Sequence, residues 1–163
     1  AKFDLKKLNN INAKNLNSMK VNDVYKLVID RFKLSLNEKE QKRFKSLLPE
    51  LLKRVQTYTD LEIEFDWLFQ ENFFCKDKSY QLQLKKSNLV LKEIGALLKE
   101  IEWNIENIKK CLNKYILENS LTFKDIGPIL RISLTGKTNS PDLVSIIYEL
   151  GCTITVNRLN YKY

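Results

Sequence analysis

Asp60, Glu62, Glu64 and Asp66 place four carboxylates at alternate positions of one short stretch. Such a run could hold a metal ion or share a proton between two acids. On a helix, however, alternate positions turn by about 200° around the axis, so the four wrap the surface instead of converging. A solvated acidic face is the better reading. The three cysteines, Cys75, Cys111 and Cys152, are too far apart along the chain for a zinc-site pair. They read as small core residues in a reducing compartment. No histidine is present. That removes the usual general base, the usual zinc ligand and any Ser-His or Cys-His nucleophile. No catalytic and no metal-binding residue is assigned in this chain.

Two further groups could bind anions or bases. Thr135-Gly136-Lys137-Thr138 carries the last letters of a phosphate-cradling loop, but the earlier glycine and the preceding strand are missing. Arg131, followed at short range by Ser140-Pro141, is more informative. Serine caps a helix and proline suits its first position, so Ser140-Pro141 predicts a helix start with N–H groups open to an anion or carbonyl. Arg131 projects from the preceding segment, and a planar guanidinium can stack on a base or fork onto its edge. Lys and Arg outnumber Asp and Glu by 28 to 20, for a net charge of +8. That excess suits a polyanion such as nucleic acid. No apolar run is long enough to span a membrane, and there is no basic-then-apolar signal.

The elements that must carry these residues are helical. Only 4 Gly and 3 Pro occur in 163 residues, which disfavours a fold rich in tight turns. Apolar positions recur at helical spacing in Val24, Leu27, Val28 and Phe32, with Asn22 or Asp23 as the expected cap. Asn37 and Glu40 form a capping-box pattern ahead of Phe44, Leu47, Leu48, Leu51 and Val55, with Pro49 an expected kink or restart. Thr59-Asp60 starts a short aromatic-rich segment. Periodicity fails over residues 70–78 and resumes at Ser79, so a boundary is expected there, giving units 1–70 and 71–163. Thr122 is expected to cap a turn, Ile129 to Leu134 a helix closed by Gly136, and Leu143, Ile146, Ile147 and Leu150 a helix ended by Gly151 at C′. The fold class is all-α, two packed helical units. The opening residues, without methionine or signal, read as the middle of a longer protein.

Leu130-Arg131, Leu134-Thr135-Gly136, Ser140-Pro141-Asp142-Leu143, Leu150-Gly151 and Arg158-Leu159 follow one another in an ordered set. This set resembles the C-terminal anticodon-binding region of the bacterial glutamyl-tRNA synthetase family, whose members carry Leu-Arg-x-x-Leu-Thr-Gly, Ser/Thr-Pro-x-Leu, Leu-Gly and Arg-Leu in that order. Phe3-Asp4-Leu5-Lys6-Lys7-Leu8 with Asn12, and Arg54-Val55-Gln56-Thr57, are similar to two upstream family segments. Residues 70–120 match only in helical character and length. The chain departs from the family at Ile129, where a proline usually precedes Leu-Arg, and at Cys152-Thr153, which replace charged residues.

The resemblance implies an α-helical cage whose two units grip the anticodon arm of a tRNA. Arg131, Ser140, Pro141 and Leu143 would surround the first anticodon base. Arg54 would lie near the third, where an arginine in the family goes with discrimination against glutamine tRNA. The partner would be glutamate tRNA, with glutamine tRNA left open, and the protein a cytoplasmic monomer without membrane contact. A class I synthetase needs a His-x-Gly-His signature, so aminoacylation, with its ATP and magnesium, would lie outside this chain, which itself needs no cofactor. The alternative is a basic helical protein–protein interaction or regulatory module with incidental RNA affinity.

Overall fold

The computed structural model describes residue 15 and residues 18–55, 57–70 and 73–163, except for the side chains of 58, 59, 62 and 63. The Phe3 to Asn12 segment and Gln56 lie outside the described residues. Every regular element among the described residues is helical, and the fold is all-α. It divides into two compact units, Ala1–Phe69 and Gln70–Tyr163.

In the first unit, α1 spans Val21–Phe32, α2 Glu38–Leu52 and α3 Tyr58–Phe65, followed by a 3₁₀ turn at Asp66–Leu68. The first helix begins ahead of Asn22 and Asp23, with Lys20 at its N-cap, so neither expected residue caps it. Asn37 does cap α2. Its side chain accepts from the Glu40 N–H at 3.0 Å while Glu40 accepts from the Asn37 N–H at 2.8 Å. Pro49 neither breaks nor restarts this helix, which runs on to Leu52. Thr57 and Asp60 form a second reciprocal cap, at 2.9 and 3.1 Å, ahead of the expected Thr59-Asp60 start. Asp60 is thereby engaged at a helix end, and Asp66 is exposed. The unit packs around Phe44, fully buried, whose ring meets Tyr25, Phe65 and Phe69 at centroid distances of 5.8, 5.1 and 5.5 Å. Such tilted and edge-on pairs match the quadrupoles of the rings.

The second unit contains α4 (Lys78–Lys86), α5 (Asn88–Lys99), α6 (Ile105–Glu118), α7 (Phe123–Thr135) and α8 (Leu143–Leu159). Asp77, Asn104 and Asp142 cap α4, α6 and α8 with side-chain oxygens on backbone N–H groups. Thr122 and Asp125 form a capping box on α7, which is one continuous helix rather than the turn and shorter helix expected. Pro128 lies within it, losing the bond to the carbonyl of Lys124. Burial outweighs that loss, because Ile126, Gly127, Ile129, Leu130 and Ile132 to Thr135 are all buried. A helix so apolar on every side belongs at the centre of its unit. Helix α8 bends at Gly151, whose φ of 79° and ψ of 165° interrupt the helical path. Its Leu143, Ile146, Ile147 and Leu150 are buried ahead of that bend, and Leu159 after it. Gly95 of α5 lies so close to α8 that an added Cβ would stand 3.5 Å from Leu159 Cβ.

Candidate nucleic-acid interface

The loop between α7 and α8 collects four of the five site residues named from the sequence. Helix α7 ends at Gly136, left-handed at φ 73°, with its N–H bonded to the Ile132 carbonyl at 2.8 Å. Glycine suits this position twice over. A Cβ there would be strained, and it would come within 3.0 Å of Phe73 Cζ. Thr135, also buried, donates its hydroxyl to the Arg131 carbonyl at 2.8 Å and accepts from the Lys137 N–H at 3.3 Å. The Thr135–Thr138 letters therefore sit at the C-terminal, carbonyl-presenting end of a helix. That polarity is wrong for a triphosphate.

Arg131 reaches back from α7 across this loop. Its Nη1 donates to Ser140 Oγ at 2.7 Å, to the Ser140 carbonyl at 3.2 Å and to the Pro141 carbonyl at 2.6 Å. Charge-assisted bonds of this kind are the stronger class, and together they fix both the loop and the guanidinium. The side chain is half-buried, so this planar cation is held in a set orientation.

The predicted helix start moves. Ser140 and Pro141 precede α8, and Asp142 caps it by accepting from the Ser145 N–H at 2.9 Å and the Ser145 hydroxyl at 3.0 Å. The expected open N–H groups at Ser140-Pro141 are thus replaced by a carboxylate-capped helix end, which disfavours an anion there. Ser140 is 4% exposed, Pro141 is buried and Leu143 is fully buried. Leu143 supports the loop from the core side. Arg54 belongs to the first unit, in the turn after α2, and is exposed.

Arg158 and Phe73 were not picked out as site residues, and the structure gives both a definite job. Arg158 is 2% exposed. Its Nη1 donates to the Leu134 carbonyl at 2.5 Å, its Nη2 to the Gln70 carbonyl at 2.7 Å, and its guanidinium lies 4.8 Å from the centre of the Phe73 ring. Ser133 in turn donates to the Arg158 carbonyl at 3.0 Å. Arg158 therefore ties the end of α7 to Gln70 and Phe73, and Phe73 braces Gly136. In the sequence Arg158 stood only in the Arg158-Leu159 pair that closes the ordered set, with nothing to mark its partners. Among the described residues, no group of three or more Cys, Asp or Glu is gathered in a way that could hold a metal ion. No helix among them is long and apolar enough to cross a membrane.

The site is thus a positioned arginine on a largely buried helix, closing a polar loop in an all-α unit. The family model described as Anticodon binding domain matches residues 23–162, and the chain belongs to that family. It is similar to glutamate–tRNA ligase 1 of Bartonella henselae, 28% identical over 98% of this chain and 35% of that protein. A shorter stretch, 40% of this chain, is 39% identical to 14% of the glutamate–tRNA ligase of Buchnera aphidicola subsp. Baizongia pistaciae. The fold is similar to a crystal structure of a glutamate tRNA ligase from Elizabethkingia meningosepticum, with a TM-score of 0.78 at 17% identity over 97% of this chain and 32% of that one. The chain thus spans about a third of the length of these full relatives.

Proposed function

We propose that this chain is the anticodon-recognising part of a glutamate–tRNA ligase, with residues 1–70 and 71–163 as its two functional halves. What carries the reading is the Arg131 clamp on Ser140 and Pro141, inside a match that relates nearly the whole chain to the anticodon binding domain family. Lysines of the +8 surface capture the RNA backbone, and a few fixed side chains read unstacked bases. Arg131 is the reading side chain of the second unit. Ser140, Pro141 and Leu143 hold its loop in shape. Arg54, exposed in the first unit, contacts the third anticodon base and bears on whether glutamine tRNA is also accepted. Glutamate activation, with ATP and magnesium, belongs to the remaining two thirds of such an enzyme, which acts as a cytoplasmic monomer.

Titrating the 163-residue chain with an unmodified glutamate tRNA anticodon stem-loop and with a loop-scrambled hairpin, across a salt series, tests this. Tighter binding to the cognate loop at every salt concentration is expected, with both affinities falling as salt rises. Equal affinity for the two hairpins would leave only a basic helical module with incidental RNA affinity.

A further inference from the structure

The segment from Phe73 to Lys76, where helical periodicity fails, carries two exposed side chains outside the Arg131 loop. Burial alternates along it, with Phe73 and Cys75 inside and Phe74 and Lys76 outside. In extended backbone, residues two apart share a face, so Phe74 and Lys76 point the same way. The Phe74 ring lies parallel to that of Tyr161, with centroids 5.6 Å apart and planes within 8°. The two residues remain 37% and 40% exposed. Lys162, next to Tyr161, is exposed as well.

This pair is braced from beneath. The Cys75 N–H donates to the Tyr163 hydroxyl at 3.1 Å, and Gln81 Nε2 donates to the Cys75 carbonyl at 2.9 Å, so both backbone groups of residue 75 are held. Tyr163 also packs on Tyr161 at 4.7 Å between ring centres. Burial of Tyr163 raises its hydroxyl pKa, which keeps that anchor neutral and hydrogen-bonded. The neighbouring negative charge, Asp77, is turned to the start of α4, where it accepts from the Ser79 and Tyr80 N–H groups at 2.8 and 3.1 Å. On the other side, Phe73 touches Gly136, so this surface adjoins the Arg131-clamped loop.

We infer that the exposed Phe74–Tyr161 stack, flanked by Lys76 and Lys162, is a second RNA contact, on which an unpaired nucleotide stacks its base while the lysines take its phosphates. Exposed rings beside cations recognise single strands because every base has a π-face. Exposed lysines close in sequence to these residues suit phosphate rather than a purely apolar partner. The inference rests on the RNA-binding reading above, but it concerns unpaired nucleotides of any sequence and not the anticodon bases.

The test uses the 163-residue chain, a short oligouridylate and a blunt RNA duplex of the same length. The chain should bind the single strand. Combined Phe74→Leu and Tyr161→Leu substitutions should weaken that binding by roughly tenfold with little change on the duplex. Tyr161→Phe, which keeps the ring, should bind as the unsubstituted chain does, and far-UV circular dichroism should be unchanged throughout. Unaltered oligouridylate binding by the doubly substituted chain, or an equal loss on the duplex, overturns the stacking contact. A chain that still prefers the cognate hairpin while ignoring these substitutions keeps the anticodon reading and loses only this one.

Discussion

Replacing Arg158 with alanine should lower the stability of the chain by about 3–5 kcal/mol, because two carbonyls at a buried site lose a charge-assisted donor and the side chain leaves a cavity. The size follows from three losses. The Leu134 carbonyl is one of the last four of α7, which have no partner within the helix, and Arg158 both satisfies it and meets the negative end of the helix dipole. The Gln70 carbonyl loses its bond to Nη2, and the guanidinium no longer covers the Phe73 ring. The space left at a 2% exposed site adds a cavity cost. Arg158→Lys should recover only part of the loss, since a single ammonium cannot bridge both carbonyls as a planar fork does. Urea unfolding followed by tryptophan fluorescence measures this. A change below about 1 kcal/mol, the scale of a single ordinary surface contact, would mean that Arg158 does not hold the second unit together.

Arg131→Ala should act mainly on recognition. Removing three bonds from Nη1 frees Ser140 and Pro141, at a stability cost of about 1–2 kcal/mol for a half-buried site. Binding to the cognate hairpin should fall roughly tenfold or more, as expected when a base-reading arginine is lost. The scrambled hairpin should be nearly unaffected. Arg131→Lys should not restore selectivity, because a point charge cannot fill the same set of acceptors. Ser140→Ala separates the two effects: it removes the 2.7 Å bond from Arg131 and the hydroxyl's 3.4 Å bond to the Pro141 carbonyl, leaves Arg131 on both carbonyls, and should loosen selectivity by less. Equal weakening on every RNA would make Arg131 a phosphate contact and not a reader of bases.

What could be read from the sequence was whatever depends on near neighbours along the chain. The Asn37–Glu40 box and the break at Gly151 appear where the pattern places them, because each is decided within one helical turn. The α8 start was misplaced for the opposite reason. Ser140-Pro141 is a sound local cap signal, but Arg131 takes the Ser140 hydroxyl and Asp142 caps in its stead. A turn at Thr122 ahead of a helix from Ile129 was expected, yet burial around α7 carries one helix through Pro128. The role of Arg158 was beyond any local signal, since its carbonyl partners lie 24 and 88 residues away. Phe73 belongs to an aperiodic stretch whose meaning comes from Arg158 and Gly136.

Chemical footprinting of a complete glutamate tRNA transcript, with and without the 163-residue chain, addresses anticodon recognition most directly. Protection of the anticodon bases, lost selectively with Arg131→Ala and retained with Arg131 intact at moderate salt, is the predicted result. Anticodon bases as reactive in the complex as in free tRNA, with protection confined to paired stems, would contradict it.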